Sequence, residues 1–107
     1  MKFTVSDKTF IVGWRHETSE KDGSRSTICT IEQVHPDGKR EALCGGTAFC
    51  SNKDIYSRNK GRKLSLQRAL ASEVPPAEGN SGEWVRVFSI EDRRVAWNEY
   101  HTMRGKW

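Results

Sequence analysis

The stretch Ser26–Cys50, STICTIEQVHPDGKREALCGGTAFC, decides the fold. Its first half is rich in β-branched side chains, which favour extended strands. The segment His35–Gly38 (HPDG) has the residues of a type I turn, with proline second and glycine fourth. A strand is predicted to follow over Arg40–Cys50, where the pair Gly45–Gly46 indicates a bulge or a close approach by another backbone. The stretch therefore predicts a long antiparallel hairpin.

Two shorter strands are predicted before this hairpin. Lys2–Ser6 and Thr9–His16 each alternate apolar and polar side chains, as strands with one buried face do. Asp7–Lys8 between them fits a tight hairpin turn. The next segment, Glu17–Arg25 (ETSEKDGSR), has no apolar side chain, so we expect a mobile loop there.

After Cys50 the period of the apolar residues changes from that of a strand to that of a helix. A helix is predicted from Gly61 over GRKLSLQRALASE. The apolar residues expected to face the sheet are Leu66, Ala69 and Leu70. The basic residues expected to remain solvated are Arg62, Lys63 and Arg68. We expect Val74–Pro76 to end this helix, because proline disfavours helix in the residue before it, and a linker to occupy residues 74–82.

A short strand over Glu83–Phe88 and a second helix are predicted at the end of the sequence. Ser89 is a candidate N-cap, and the acids in the next turn suit the positive end of the helix dipole. The apolar stripe of this helix is Ala96, Tyr100, Met103 and Trp107. Strands first and helices later predict one α+β domain over residues 1–107, with an antiparallel sheet of about four strands and two helices in a single layer on one face.

Composition limits the classes of protein that remain. The 107 residues include 35% hydrophobic and 30% charged side chains, which suits one domain with a thin core. No apolar run approaches the roughly 18 residues that span a bilayer, and no signal-peptide segment follows Met1. We therefore expect no membrane association and a cytoplasmic location.

The three cysteines, Cys29, Cys44 and Cys50, are odd in number and irregularly spaced, which favours reduced thiols in a cytoplasmic protein. With His16 or His35 they would make four zinc ligands, but the local pairs of most zinc sites are absent. Buried thiols acting as small hydrophobes are the alternative that we favour. We expect no metal and no cofactor.

The sequence contains none of the common catalytic or phosphate-binding motifs. We therefore predict a protein that is not an enzyme. An unrecognised enzyme remains the alternative, and it requires one of the cysteines to lie within hydrogen-bonding distance of a histidine after folding.

Positive charge is concentrated in one segment. Lys53–Arg68 contains six basic residues and one acid, so it carries +5, and the rest of the chain sums to −1. A glycine at a helix start among basic side chains would place free backbone N–H groups beside positive charge, which favours an anion. The predicted binding surface is Lys53, Tyr56, Arg58, Lys60, Arg62, Lys63 and Arg68. Asp54 is four residues before Arg58 and suits an ion pair with it. The alternative is that these cations solvate an ordinary helix.

The chain resembles a group of small proteins encoded by bacteriophages and prophages, mostly without assigned function. The resemblance lies in Trp14–Glu17, Thr27–Cys29, Gly46–Leu70 and Arg94–Tyr100, and the third block is the most specific. Asp54, Gly61, Trp97 and Tyr100 are among the residues within these blocks that carry the resemblance. The resemblance implies a cytoplasmic protein of an infected or lysogenic bacterium, and it implies no reaction.

Three functional hypotheses follow. The first is a non-enzymatic phage accessory protein that binds, and inhibits, a host protein or a defence complex such as CRISPR through the basic segment. The second is a nucleic-acid-binding accessory factor that uses the same segment. The third is the unrecognised enzyme. We also expect Trp97 and Tyr100 to pack near the turn formed by Arg58–Arg62, because the aromatic stripe of the last helix needs a partner.

Overall fold

The computed structural model describes residues 1–50, 57–74 and 84–104. Four strands come first, followed by a helix, two very short strands and a second helix. They are β1 (Lys2–Val5), β2 (Lys8–Thr18), β3 (Arg25–Val34), β4 (Arg40–Cys50), α1 (Arg58–Leu70), β5 (Glu73–Val74), β6 (Val85–Arg86) and α2 (Ile90–Arg104). Over the described ranges, neither helix has the length and apolar character needed to cross a membrane.

The four long strands form one antiparallel sheet in the order β1-β2-β3-β4, so each strand pairs with its neighbour in the sequence. Strands β5 and β6 pair separately. Both helices contribute to the same buried cluster as the inner face of the sheet. The predicted α+β class, with four antiparallel strands and two helices, is confirmed.

Aromatic rings fill one half of the core. The ring of Phe3 stacks on that of Phe10 with centroids 5.0 Å apart, and Phe88 approaches Phe10 edge-on at 5.2 Å. The aliphatic half lies beneath α1, and its buried residues are Val12, Cys29, Ile31, Leu66, Ala69 and Leu70. Buried aromatic side chains remove roughly 150–250 Å² each from water, which compensates for the small number of apolar residues.

The first hairpin turns one residue earlier than predicted. Ser6 and Asp7 both have left-handed backbone conformations, with φ of 48° and 66°, as the central residues of a two-residue hairpin turn require. Lys8 therefore belongs to β2, where it pairs with Val5. The prediction that Asp7–Lys8 forms the turn was wrong by one position.

The strands also extend into the segment predicted as a loop. Strand β2 continues to Thr18 and β3 begins at Arg25, and these two residues pair across the hairpin, so the loop spans only residues 19–24. The predicted boundaries at Glu17 and Arg25 were wrong. Backbone hydrogen bonds sustain the pairing, and they do not require apolar side chains.

Helix α1 begins three residues before its predicted start. Ser57 caps it, since the Ser57 hydroxyl accepts a hydrogen bond from the Lys60 backbone N–H at 3.3 Å. Gly61 is therefore inside the helix, and its N–H donates to the Ser57 carbonyl at 3.0 Å. The prediction of free N–H groups at Gly61 was wrong.

Helix α1 also ends earlier, at Leu70. The Ala71 N–H donates to the Gln67 carbonyl and closes the last turn. Glu73, predicted to lie in the helix, is exposed in β5 with Val74, so prolines 75 and 76 do not end α1. The predicted linker at 74–82 lies outside the described residues beyond Val74.

The start of α2 agrees with the sequence. The Asp92 N–H donates to the Ser89 hydroxyl at 3.1 Å, and the Ser89 N–H donates to the Asp92 carboxylate at 3.3 Å. This reciprocal pair is a capping box with aspartate in place of glutamate. Ala96 and Tyr100 of the predicted stripe are buried, whereas Trp107 lies outside the described residues.

Two glycines allow α1 to approach the sheet closely. A Cβ atom on Gly46 would lie 2.5 Å from the Ala69 nitrogen and 2.5 Å from the Ser65 carbonyl oxygen. A Cβ atom on Gly61 would overlap the Thr27 hydroxyl. The predicted close approach at the glycine pair is confirmed at Gly46, and a register shift between β3 and β4 lies shortly before the pair.

Helix α1 and the residues directly after it also protect the outer edge of β4, the last strand of the sheet. The Arg68 guanidinium donates to the Thr47 carbonyl, and the Ser72 hydroxyl donates to the Gly45 carbonyl at 3.5 Å. Outward carbonyls of an edge strand are the groups that would otherwise pair with another chain.

The close approach predicts that Gly46→Ala destabilises the fold. The added methyl group overlaps backbone atoms of α1, which cannot rotate away, so we expect the free energy of unfolding to fall by roughly 1–3 kcal/mol or more. Gly13→Ala is the control, because its Cβ would lie at an ordinary 3.6 Å from the Thr30 hydroxyl. Urea denaturation checks this, and equal stability of the two variants would contradict the close approach.

Candidate functional site

The basic side chains of α1 do not form one continuous surface. Successive helical residues are rotated by about 100°, so residues four apart share a face. Arg58 and Arg62 consequently lie on the side of the helix that carries Leu66 and Ala69, which is buried against the sheet. Because they are at the N-terminal end of α1, their side chains lie over the end of the sheet rather than its centre.

Arg62 is half-buried and held in place. Its carbonyl accepts a hydrogen bond from the Trp14 indole N–H at 3.2 Å, and its guanidinium donates to the Asn59 side chain at 3.3 Å. The prediction that Arg62 remains solvated was wrong, because its four-residue spacing to Leu66 places it on the inner face. Arg62 is therefore partly buried on the side of the helix that faces the sheet.

Lys60 and Lys63 lie on the opposite side of α1 and are exposed. Together with Ser57, Asn59 and Tyr100 they line a cleft of about 380 Å³. Tyr100 of α2 therefore lies at the first turns of α1, as expected from the sequence.

Tyr100 contacts one aromatic ring of the sheet and one of its own helix, α2. Its ring centroid is 6.4 Å from that of Trp14 and 5.4 Å from that of Trp97. Trp97 therefore packs on Tyr100, and Tyr100 is the residue that lines the cleft at the start of α1.

Arg68 is exposed on a third side of α1, where its guanidinium binds the edge of β4. It is therefore separated from the other cations. The remaining predicted residues of the surface, Lys53 and Tyr56, lie outside the described residues, as does Asp54.

A second cleft, which the sequence did not predict, lies at the end of the sheet next to the first turn of α1. It has a volume of about 240 Å³ and is lined by His16, Glu17, Thr18, Arg25 and Arg58. We call it the sheet-end cleft. The register brings its residues together, since Thr18 pairs with Arg25. The alternation of β2, continued from Val12, places His16 and Thr18 on one face, and this is the signal in the sequence that would have found those two residues.

His16 lies between Thr27 and the arginines of α1. Its Nδ1 atom is 2.9 Å from the Thr27 hydroxyl. Burial lowers the pKa of His16, and the positive charges of Arg62 and Arg58 lower it further. The imidazolium form is therefore disfavoured, because this end of the sheet already carries positive charge.

Burial affects the thiols of Cys29 and Cys44. Burial, with a smaller contribution from Cys44, raises the pKa of Cys29 to about 12, and burial also raises the pKa of Cys44. A thiol with so high a pKa is almost fully protonated near neutral pH and is a poor nucleophile. Within residues 1–50, 57–74 and 84–104, no three His, Cys, Asp or Glu side chains are arranged to hold a metal ion.

Comparison of the chain with protein-family models, with curated proteins and with solved structures finds no match. The candidate site is therefore assigned from its geometry and charges alone. Its components are the exposed cations of α1 and the two clefts on either side of the helix's first turns.

The lowered pKa of His16 predicts that stability decreases in mild acid. Above the ordinary histidine pKa of about 6.5 both the folded and unfolded chains hold a neutral imidazole. As the pH falls below that value the unfolded chain binds the proton first, so the free energy of unfolding decreases until the folded pKa is passed. Urea denaturation between about pH 7.5 and 4.5 measures this slope.

The control for this experiment is His16→Gln, in which the slope attributable to His16 should disappear. His101→Gln, which changes an exposed residue of α2, should retain it. If the His16→Gln protein keeps the full pH dependence, the electrostatic account of this end of the sheet is wrong.

Proposed function

We propose that this chain is a non-enzymatic binding protein that engages an anionic surface of a partner protein through the first turns of α1. The observation that carries the proposal is the charge of that helix start. The first turn of α1 contains Arg58 and Lys60 and no acid. The first turn of α2 contains Glu91 and Asp92, the arrangement that the helix dipole favours.

Cations at the positive end of a helix are unfavourable by roughly 0.3–1 kcal/mol each. Within the described part of the chain, Arg58, Lys60 and Lys63 form no ion pair with an acid, and all three are exposed. An anionic partner would relieve this repulsion and add charge-assisted hydrogen bonds. The same charges steer the approach of such a partner and increase the association rate.

The cations are presented by a rigid support. The close approach of Gly61 to Thr27 and the hydrogen bond from Trp14 to the Arg62 carbonyl fix the helix start on the sheet. A surface already held in its binding conformation loses less entropy when a partner docks. This favours recognition by a preformed surface over folding on binding.

The resemblance to phage and prophage proteins supports a specific form of the proposal. The chain would act in the cytoplasm of a bacterial host and bind a host protein or a protein–nucleic-acid complex. Inhibition of a defence complex such as a CRISPR effector is one such role, because these complexes have both nucleic-acid-binding and acidic surfaces. The basic side of α1 would bind an acidic surface of such a complex.

Charge reversal of α1 tests the proposal. The variant Arg58→Glu/Lys60→Glu/Lys63→Glu changes three exposed side chains, and Arg62 is left unchanged because it supports the fold. We expect the partners captured from bacterial lysate to fall by at least about tenfold, which corresponds to about 1.4 kcal/mol. Quantitative mass spectrometry of the captured proteins measures the loss.

The matched control is Lys39→Glu/Arg40→Glu, which reverses two exposed cations at the hairpin on the other end of the sheet. This variant should capture the same partners as the unmodified chain. An unchanged set of partners for the α1 variant would remove α1 from the interface and overturn the proposal.

Direct binding of nucleic acid is the second candidate function, and one observation favours it. The cations of α1 flank its first turns on both sides, with Lys60 and Lys63 at one cleft and Arg58 at the other. A phosphate backbone is a row of charges that such an elongated surface can follow.

Fluorescence anisotropy with short DNA and RNA at about 50 and 200 mM salt tests this second function. Backbone contacts of this kind predict micromolar or weaker affinity that falls steeply with salt. The α1 triple variant should abolish the binding, and Lys39→Glu/Arg40→Glu should not. No binding at the lower salt concentration would exclude the second function.

A further inference from the structure

The sheet-end cleft brings Arg58 of α1 next to hydrogen-bonding side chains of the β2–β3 hairpin. His16 and Thr18 come from β2, Arg25 from β3 and Arg58 from the first turn of α1. Three separate elements therefore converge on one concave site. The cleft is distinct from the one lined by Lys60 and Lys63, which lies on the other side of the helix.

We propose that the sheet-end cleft binds a single oxyanion group, a carboxylate or a phosphate, that the partner inserts next to the first turn of α1. The inference deepens the proposed function and depends on it, since it names the group that anchors the partner. Carboxylate and phosphate share the chemistry that the cleft offers, which is a small anion with several acceptor oxygens.

The charges of the cleft favour an anion. Arg25 and Arg58 line it, and Arg62 lies close enough to lower the pKa of His16. Glu17 also lines the cleft, but its carboxylate binds the Arg15 guanidinium at 2.8 Å. Two arginines and one carboxylate therefore line the cleft, so the formal charge of its lining is positive.

The donors of the cleft match an oxyanion in kind and number. Arginine side chains present paired N–H groups that bind carboxylate or phosphate in a bidentate manner. The Thr18 hydroxyl adds a neutral donor, and His16 adds a further one when it is protonated. A volume of about 240 Å³ is below the range of roughly 300–1,000 Å³ typical of small-molecule pockets, so the cleft suits one group rather than a whole ligand.

Binding of an oxyanion should also change the titration of His16. A negative charge beside the imidazole favours its protonated form and opposes the effect of Arg62 and Arg58. The midpoint of His16 should therefore rise when the cleft is occupied, and by linkage the anion should bind more tightly as the pH falls. If the arginines only kept the surface solvated and bound no anion, added anion would not change the midpoint of His16.

An NMR titration with inorganic phosphate and, separately, with acetate tests the inference at constant ionic strength set by sodium chloride. We expect phosphate or acetate to shift the backbone amide signals of Thr18, Arg25 and Arg58. The midpoint of His16 should rise by at least about half a pH unit at saturation. The anion that saturates the cleft at the lower concentration, phosphate or acetate, identifies which group of the partner the cleft prefers.

Two variants and a matched control define the site. Arg58→Gln and Arg25→Gln should each weaken binding by at least about tenfold. Lys63→Gln removes the same charge from the same helix but lines the other cleft, so it should change the affinity by less than about twofold. Thr18→Val keeps the shape of the side chain and removes only the hydroxyl, so it should also weaken binding. This variant tests the site should either arginine variant fail to fold.

The outcomes separate this inference from the proposed function. Equal weakening by Lys63→Gln, or signal shifts spread over all cations, would mean non-specific screening and would overturn the inference. Partner capture that depends on α1 while neither anion binds would also overturn it and leave the proposed function standing. Saturable binding with an unchanged partner set for the α1 variant would overturn the proposed function instead.

Discussion

The contact between α1 and the sheet is the constraint on which the rest of the structure depends. Gly46 lets β4 approach the backbone of α1, and Gly61 lets α1 approach the Thr27 side chain, so closely that a Cβ atom at either glycine would overlap its neighbour. This contact fixes the height and rotation of the helix, and with them the direction of every basic side chain. It places Arg62 inward, Lys63 outward and Arg68 toward the edge of β4. Charge distribution in this protein is thus a consequence of backbone packing.

The two helices begin with opposite electrostatics. Helix α2 starts with a reciprocal cap between Ser89 and Asp92, and the acids of its first turn suit the positive end of its dipole. Helix α1 starts with a single serine cap and positive side chains. Natural helices tolerate such an arrangement when tertiary contacts supply the stability, as the buried residues of α1 do here. The unfavourable charge is therefore concentrated at the surface that we assign to binding.

Much of the fold could be predicted because its signals are local. β-Branched residues, turn residues and the glycine pair identified the long hairpin, and Ser89 identified the start of α2. Helix limits were less accurate, since Ser57 rather than Gly61 caps α1. A capping hydroxyl is one weak signal among several polar residues, and only the packing of Leu66 and Ala69 decides which one is used.

The candidate site was harder to predict because it depends on register and helix rotation. The sequence shows the cations of α1, but it does not show that they lie on three different sides of the helix. His16 and Arg25 become neighbours of Arg58 only when β2 and β3 pair and the first turn of α1 lies over the end of the sheet. Each of these residues looks like an ordinary surface residue when its segment is read alone.

The hydrogen bonds from Arg68 to Thr47 and from Ser72 to Gly45 also link solubility to the integrity of the helix. As long as α1 is seated, these two backbone carbonyls are occupied and cannot act as a template for a foreign chain. Local melting of α1 would release them close to the ring of Phe49, which is already 79% exposed near the end of the same strand. Self-association of this protein should therefore begin at β4, and it should begin when the helix frays rather than when the whole domain unfolds.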